Sequence, residues 1–317
     1  MKNLPVAAIC FAGALFLAST ASAMEGVVAS IKPIHSLVAG VMGEVAQPDL
    51  LVPGNASPHA YSLRPSDARK LEQAKVVFRV GKDLELFLEK PLQSLSSNAR
   101  IVNLSEAPGL ELLDLREGGA FEAHSHDHDH DHAHSDDHDH DHHAPAKDMH
   151  IWLDPENARA MVAQIADTLA EADPANAAIY ESNAAELDQR LQALLGETRE
   201  KLRNLHGKPF IVFHDGYHYF EHRFDLHASG SISINPETPP SAQRVKEIQT
   251  RIASTSAACV FSEPQFEPRI VSVVTEGTGA RVGELDPLGA SLEDGADLYF
   301  ELIDDLALSI RDCLSDS

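Results

Sequence analysis

Histidine alternates with aspartate in one stretch of the chain, between Ala123 and Ala144. Neutral imidazole is the commonest protein ligand for zinc-like ions, and so dense a run of it indicates metal handling. The stretch lies in the middle of the chain, so it is not a purification tag appended to one end. We interpret ten of the eighteen histidines as auxiliary metal ligands of low affinity: His124, His126, His128, His130, His132, His134, His138, His140, His142 and His143.

Three of the other eight histidines lie where a single tight metal site would be built. His59 is in a loop, His150 stands at the start of a helical segment, and His214 directly follows the apolar strand PFIVF. Ligands of α/β proteins gather at the carboxyl ends of parallel strands, which favours His214 and also Asp286 after another strand. Taken alone, each of these residues is more often an ordinary hydrogen-bonding side chain than a ligand.

Two further histidines follow His214 closely. His218 and His222 come four and eight residues after it, which places all three on one helix face if the segment is helical. A local metal site is one interpretation, and a hydrated helix face is the one we favour. His35, near the start of an earlier helix, is interpreted as structural.

Short β-branched segments alternate with helical patterns, which predicts an α/β fold with mostly parallel sheets. The predicted strands span residues 27–31, 76–80, 101–104, 210–213, 231–234, 258–262 and 280–283.

Three helices are predicted from their caps and their apolar spacing. Asp154 and the proline after it are an N-cap and a first-turn residue of the first helix. Asp173 begins the second in the same way, and its apolar pattern continues to Leu205, which predicts a helix of about 45 Å. The third spans residues 241–254.

These elements predict two lobes, residues 24–173 and 207–317, each with a mostly parallel sheet and joined by one long helix over residues 174–206. Each lobe is long enough to bury a core of its own. Residues 118–147 carry almost no apolar side chains and cannot offset their ordering entropy, so we predict a disordered His/Asp-rich loop.

Residues 1–23 have the composition of a cleavable secretory signal peptide. Lys2 provides the positive start, an apolar stretch runs from Leu4 to Leu17, and Ala-Ser-Ala precedes the expected cleavage before Met24. The stretch is too short to span a bilayer comfortably, and no later segment is apolar enough. We therefore expect an exported protein without direct membrane insertion.

The net charge of −24 disfavours nucleic acid and anionic membranes as partners and suits a cationic cargo. Solubility explains the charges outside the Asp/His stretch at least as well. A monomer is assumed, since the sequence does not reveal an oligomeric state.

Two cysteines follow the signal peptide, Cys259 and Cys313. An even pair in an exported chain is typical of a disulfide, which here would tie a strand to the last helix. A metal site built on these cysteines is the weaker alternative because the chain has no CxxC spacing.

Several motifs together resemble the periplasmic zinc-binding proteins of bacterial zinc-uptake ABC transporters. They are, in order, ASPHAYSLRPSD, MHIWLDPENA, IVFHDGYHYF, PETPPSAQR, and CVFSEPQF with LDPLG. The resemblance covers essentially the whole mature chain, including the His-rich insertion and the C-terminal cysteine pair. It implies a periplasmic protein of two α/β lobes joined by one long helix, with a metal between the lobes and an inner-membrane ABC permease as partner.

Carried over by motif, the resemblance implies that His59, His150 and His214 bind one Zn²⁺, the transported ligand. Manganese-binding relatives have a carboxylate where this chain has His214. Three imidazoles suit zinc, whereas a site richer in oxygen suits manganese. His214 is therefore the main reason to expect zinc.

The resemblance leaves the fourth zinc ligand open. Some zinc-binding relatives have a glutamate immediately before the first ligand histidine, where this chain has Pro58. Because zinc takes four ligands, we expect Asp286 in the fourth place, with a water molecule or an acid of the loop as alternatives. Glu263 is another candidate in the cleft and is interpreted as structural.

Four functions fit these observations to different degrees. The leading one is capture of Zn²⁺ by the cleft, after collection by the loop, and delivery to a permease without catalysis. A zinc hydrolase is disfavoured because the chain has no HExxH motif. A zinc buffer or adhesin, and a carrier of manganese or iron, are the remaining alternatives.

Overall fold

Two parallel four-stranded sheets organise the chain in a computed structural model that describes residues 23–116, 121, 146–233 and 236–315. Helices flank both sheets, so the predicted α/β class with two lobes is confirmed. The predicted signal peptide up to residue 22, the ten histidines of the Asp/His stretch and most of the predicted loop lie outside the described residues.

The N-terminal sheet has the strand order β2-β1-β3-β4. Its strands are β1 Val27–Ile31, β2 Asp49–Val52, β3 Val76–Arg79 and β4 Arg100–Asn103. The helices between them are α1 Lys32–Met42, α2 Pro65–Gln73 and α3 Glu89–Leu95, the last preceded by a 3-10 turn, Leu86–Leu88. All five residues of β1 are buried, as expected for a central parallel strand covered on both faces.

Two long helices connect the sheets. They are α4 Pro155–Ala172, which a 3-10 turn at Ile151–Leu153 precedes, and α5 Ala177–Leu202. The side chain of Asp154 accepts a hydrogen bond from the backbone N–H of Glu156 and so caps α4 as predicted. At 26 residues, α5 is about 39 Å long. It is shorter than the predicted helix because residues 174–176 form a turn before it and residues 203–207 turn away after it.

The C-terminal sheet repeats the same topology, in the order β6-β5-β7-β8. Its strands are β5 Phe210–Val212, β6 Ala228–Ser231, β7 Cys259–Ser262 and β8 Arg281–Glu284. Its helices are α6 His218–Phe224, α7 Ala242–Thr255, α8 Arg269–Thr275 and α9 Leu298–Ser315. A disulfide joins Cys259 to Cys313, as the even cysteine count suggested, and ties β7 to α9.

The structure corrects two strand predictions. β2 is absent from the predicted strands, and β6 begins three residues before the segment predicted at residues 231–234 and ends at Ser231. β6 is an edge strand of small residues whose pairing with β5, rather than its own β-propensity, decides where it lies.

The apolar core is continuous through both lobes, contrary to the expectation of two separate cores. Val28 of β1, Leu191 of α5 and Leu306 of α9 belong to one buried cluster. The cluster is shared because α5 packs against α1, α4 and α9. A second, smaller cluster, which includes Ile211 and Ile248, lies under α7 and α8. No helix in the described ranges has the length and apolar content that a bilayer crossing requires.

Candidate metal centre

Three loops bring His59, His150 and His214 together. His59 lies between β2 and α2, His150 stands immediately before the 3-10 turn that leads into α4, and His214 comes two residues after β5. Two of these positions follow the carboxyl ends of parallel strands, where the backbone leaves the sheet and side chains can converge. His150 and His214 are 7% and 5% exposed, and His59 is partly buried.

The three imidazoles are close enough to share one ion. One ring nitrogen of each lies within 4.8 Å of the others. The ring centroids are 5.3 Å apart for His59 and His150, 5.8 Å for His59 and His214, and 5.1 Å for His150 and His214. In the part of the chain that the structure describes, this is the one group of histidine, cysteine or carboxylate side chains with metal-binding geometry.

Two carboxylates fix the orientation of the buried rings. His150 Nδ1 donates to Asp148 Oδ1 at 2.7 Å, and His214 Nδ1 donates to Glu263 Oε1 at 2.7 Å. The backbone N–H of His150 also donates to Asp148, which holds that carboxylate in place. These partners assign the protons to the Nδ1 atoms. Each Nε2 is left with a lone pair, as in a metal-ligating histidine supported by an outer carboxylate.

The two Nε2 atoms face each other. They are 3.2 Å apart in His150 and His214, with the lone pairs directed into the same space. Two such lone pairs repel unless a cation or a proton lies between them. In a tetrahedral zinc site with Zn–N bonds of 2.0–2.1 Å, neighbouring nitrogens are about 3.4 Å apart. The observed separation is close to that value, and it is also the length of a hydrogen bond between the two rings when one Nε2 carries a proton.

The electrostatics of the site also favour a cation. Burial lowers the pKa of His214, but the Glu263 carboxylate outweighs it, and the net shift is upward. Burial raises the pKa of Asp148, but His150 outweighs that effect, and the net shift is downward. Asp148 is therefore ionised near neutral pH, and its negative charge would stabilise a cation next to the imidazole of His150.

The cavity between the rings is small. It has a volume of about 10 Å³, room for one water-sized species. Its walls combine the three histidines and Glu263 with apolar side chains, including Trp152, Phe266 and Leu288. A space of this size is large enough for a single ion.

Asp286, expected as the fourth ligand, lies outside the three-histidine group. Its carboxylate accepts hydrogen bonds from Gln265 Nε2 at 2.8 Å and from the backbone N–H groups of Leu288 and Gly289, both at 3.0 Å, and of Ala290. Asp286 thus organises the turn after β8 in this structure.

His218, His222 and His35 lie outside the three-histidine group. His218 begins α6 and lies with Nδ1 3.8 Å from Asp148 Oδ2, and burial lowers its pKa. The side chain of His222 is 48% exposed on α6 near Glu111. The group of His214, His218 and His222 is therefore not formed. His35 is buried with Nε2 3.0 Å from the carbonyl oxygen of Pro48, which fits a structural role.

Sequence reasoning missed two residues of the site. Asp148 precedes His150 by two residues, and this Asp-x-His spacing is the signal that could have revealed it. Gly216 is the other, because a Cβ built there would lie 2.5 Å from Nε2 of His214. The missing side chain leaves room for the ring. Glu263, interpreted as structural, contacts a candidate ligand directly.

Comparison with known proteins identifies close relatives. The family model described as "ZnuA: Zinc-uptake complex component A periplasmic" matches residues 27–313. The "High-affinity zinc uptake system protein ZnuA" of Brucella suis biovar 1 is 51% identical over 336 residues, which cover 99% of this chain and 100% of the relative. A solved structure described as "Crystal structure of ZnuA" is 25% identical, with a TM-score of 0.74 over 91% of this chain and 98% of that chain. Another, described as "Crystal structure of 138-173 ZnuA deletion mutant plus zinc bound", is 26% identical, with a TM-score of 0.74 over 91% of this chain and 97% of that chain.

Proposed function

The chain belongs to the family of periplasmic zinc-uptake complex components, and on that premise we propose that it captures one Zn²⁺ between its lobes and delivers it to an inner-membrane ABC permease. The signal peptide carries the chain to the periplasm, where the mature protein begins near Met24. The role is binding and transfer, without a catalysed reaction.

One observation carries this proposal. The Nε2 atoms of His150 and His214 lie 3.2 Å apart, and the Nδ1 atoms of both rings are held by carboxylates. His59 adds a third imidazole within reach of the same ion. We therefore propose these three residues as the zinc ligands.

The donor set favours zinc over manganese or iron. Three neutral imidazoles form a nitrogen-rich site, whereas carboxylate, carbonyl and water oxygens suit manganese. Relatives named as zinc uptake proteins share up to half of the residues of this chain, which supports the same cargo. A manganese or iron carrier remains the alternative, and competition between the three ions for the three-histidine site distinguishes them.

The fourth coordination position belongs to Asp286, a water molecule or a carboxylate of the Asp/His-rich loop. For Asp286 to bind, its carboxylate would have to give up hydrogen bonds to Gln265 and to the turn after β8. A water molecule requires no such rearrangement and leaves a position that a receiving permease can occupy. Asp286, the ligand expected from the sequence, and a water molecule are therefore both proposed for this position.

The Asp/His-rich loop collects metal for the cleft. It supplies ten imidazoles and seven aspartates close together in sequence. Many weak ligands near one strong site raise the local concentration of the ion. The loop is thus expected to change the number of bound ions and the capture rate rather than the affinity of the three-histidine site.

Deletion of residues 123–144 tests this division of labour. The shortened protein is expected to bind one Zn²⁺ with an affinity within about threefold of the full chain's tightest site, because the three cleft histidines remain. Titration calorimetry with a competing chelator measures stoichiometry and affinity together. Loss of nearly all tight binding would show that the loop is the main site and that the protein is a buffer.

Glu263→Gln tests the outer carboxylate. The glutamine oxygen still accepts from His214 Nδ1, but the negative charge behind the ring is lost. Zinc affinity is expected to fall about 10-fold, the lower end of the range for outer partners of metal ligands. Glu267→Gln is the matched control, since the side chain of Glu267 is 68% exposed and its ion pair with Arg269, at 3.8 Å, lies on the surface. Equal affinities for the Glu263 and Glu267 variants would exclude a role for that charge.

A further inference from the structure

The helix that follows His214 is fastened to the N-terminal lobe by Arg223. This side chain projects from α6 and donates from Nε to Asp154 Oδ1 at 2.7 Å and from a terminal nitrogen to Asp154 Oδ2 at 2.6 Å. The same nitrogen donates to Glu111 Oε2 at 2.9 Å. Asp154 is the cap of α4 and lies four residues after His150. Arg223 therefore connects α6 to the segment that carries a second candidate ligand.

A second arginine makes the same connection in the opposite direction. Arg116 belongs to the N-terminal lobe, and its Nε donates to Asp215 Oδ1 at 2.9 Å. Its terminal nitrogens donate to Glu221 Oε2 at 2.8 Å and Oε1 at 2.9 Å. Asp215 is the neighbour of His214, and Glu221 lies on α6. Arg116 thus contacts both the turn that follows His214 and the middle of α6.

Tyr219 completes the contact between α6 and the N-terminal lobe. Its hydroxyl accepts a hydrogen bond from the backbone N–H of Leu113 at 3.0 Å and donates to the carbonyl oxygen of Asp148 at 2.8 Å. Asp148 is the carboxylate that orients His150. α6 therefore contacts Asp148, which orients His150, and it begins four residues after His214.

Two of the four acids that these arginines contact are deeply buried. The side chains of Glu221 and Asp154 are 2% and 1% exposed. Burial raises the pKa of Asp154 although Arg223 opposes it, which marks the carboxylate as costly to hold there. Such a pair is weak evidence for stability in itself, because desolvation offsets much of the attraction. A bidentate arginine does, however, fix direction and distance.

We propose that Arg116 and Arg223 are positioning residues of the metal centre, which hold α6 against the N-terminal lobe so that His214 and His150 stay at coordination distance. This inference rests on the proposed zinc binding. With both arginines in place, the ligands are organised before the ion arrives, and the ion leaves only when α6 loosens. Most of their effect is therefore on the dissociation rate of Zn²⁺.

The test uses the full mature chain with Arg116→Lys, Arg223→Lys and the double variant. Lysine keeps the charge that the buried acids require but lacks the planar fork. Zinc dissociation is followed by stopped flow into excess chelator, in which the three-histidine site gives the slow phase. Loading with Co²⁺ supplies a second readout, because its visible d–d bands report whether the ligands are tetrahedral. Thermal unfolding of the metal-free proteins shows that each variant is folded.

The double variant is expected to release zinc about 10-fold faster than the wild type and to show weaker Co²⁺ bands, as for the loss of outer partners of metal ligands. Arg159→Lys is the matched control. Arg159 also donates to two acids, Asp188 Oδ1 at 2.6 Å and Glu156 Oε1 at 2.9 Å, and these acids lie on α5 and α4 rather than on α6 or in the turn after His214. Its release rate should stay within about twofold of the wild type.

Unchanged dissociation and Co²⁺ bands in the double variant would overturn the inference, as would an equal change in Arg159→Lys. If the double variant does not fold, the two single variants decide the matter, and each is expected to release zinc about threefold faster. His59→Ala is the reference for loss of the metal site, since the slow phase of zinc release should vanish when one of the three histidines is removed. A wild type without a slow phase would overturn the proposed function as well, whereas a slow phase insensitive to both arginines overturns this inference alone.

Discussion

Replacing His214 with alanine is expected to weaken zinc binding in the cleft by on the order of a thousandfold. The loss should exceed the roughly 10–100-fold that removal of an outer partner costs, because a ligand is lost outright. The change also leaves Glu263 buried without the imidazole that now donates to it. The ion would then keep two imidazoles, fewer than the three protein ligands of a typical open zinc site.

The measurement is a chelator-competition titration of the chain that lacks residues 123–144, so that the loop does not mask the loss. His222→Ala is the matched control, because that side chain is 48% exposed on α6 and lies outside the three-histidine group. The control should bind zinc as the parent does. Retention of the parental affinity in His214→Ala would remove this residue from the site and contradict the proposed function.

Removal of the disulfide is expected to lower the free energy of unfolding by about 4 kcal/mol in the chain-entropy model, for a loop of 54 residues. The bridge fastens β7, the strand next to β5, to α9. Because α9 also packs against α5 and α1, its detachment would loosen the whole assembly rather than one edge.

The change to make is Cys259→Ser with Cys313→Ser, and urea unfolding followed by circular dichroism gives the free energy. Ser315→Ala is a control for a substitution at an exposed position of α9, since this serine does not belong to the disulfide. A loss below about 1 kcal/mol for the cysteine pair would mean that the bridge adds little to the packing of α9.

The periodicity of apolar residues and the helix-capping residues predict much of the fold. β1 lies where it was predicted, and Asp154 caps α4 because an aspartate followed by proline has few other uses at a helix start. Prediction was poorer for β6, where Ala-Ser-Gly-Ser carries little strand propensity and a neighbouring strand determines the outcome. The length of α5 was overestimated because the apolar pattern continues to Leu205, beyond the point where the backbone turns.

The candidate site could be predicted only in part for a related reason. A resemblance in motifs identified His59, His150 and His214, which lie far apart in sequence but meet in the structure. Asp286 sits in a motif of the same kind, and because its carboxylate accepts hydrogen bonds from backbone N–H groups of its own turn, its role as fourth ligand stays a prediction. Whether an acid binds a metal or a turn depends on local backbone geometry, which composition and spacing do not encode.

The shared core also has a thermodynamic consequence for the molecule. Since Val28 and Leu306 belong to one buried cluster, exposing the interior of either half uncovers apolar surface of the other. The halves are then energetically coupled, and calorimetry should record a single endotherm with equal calorimetric and van't Hoff enthalpies. An ion bound between them would raise the melting temperature of the entire chain through mass action, not merely that of the half it touches.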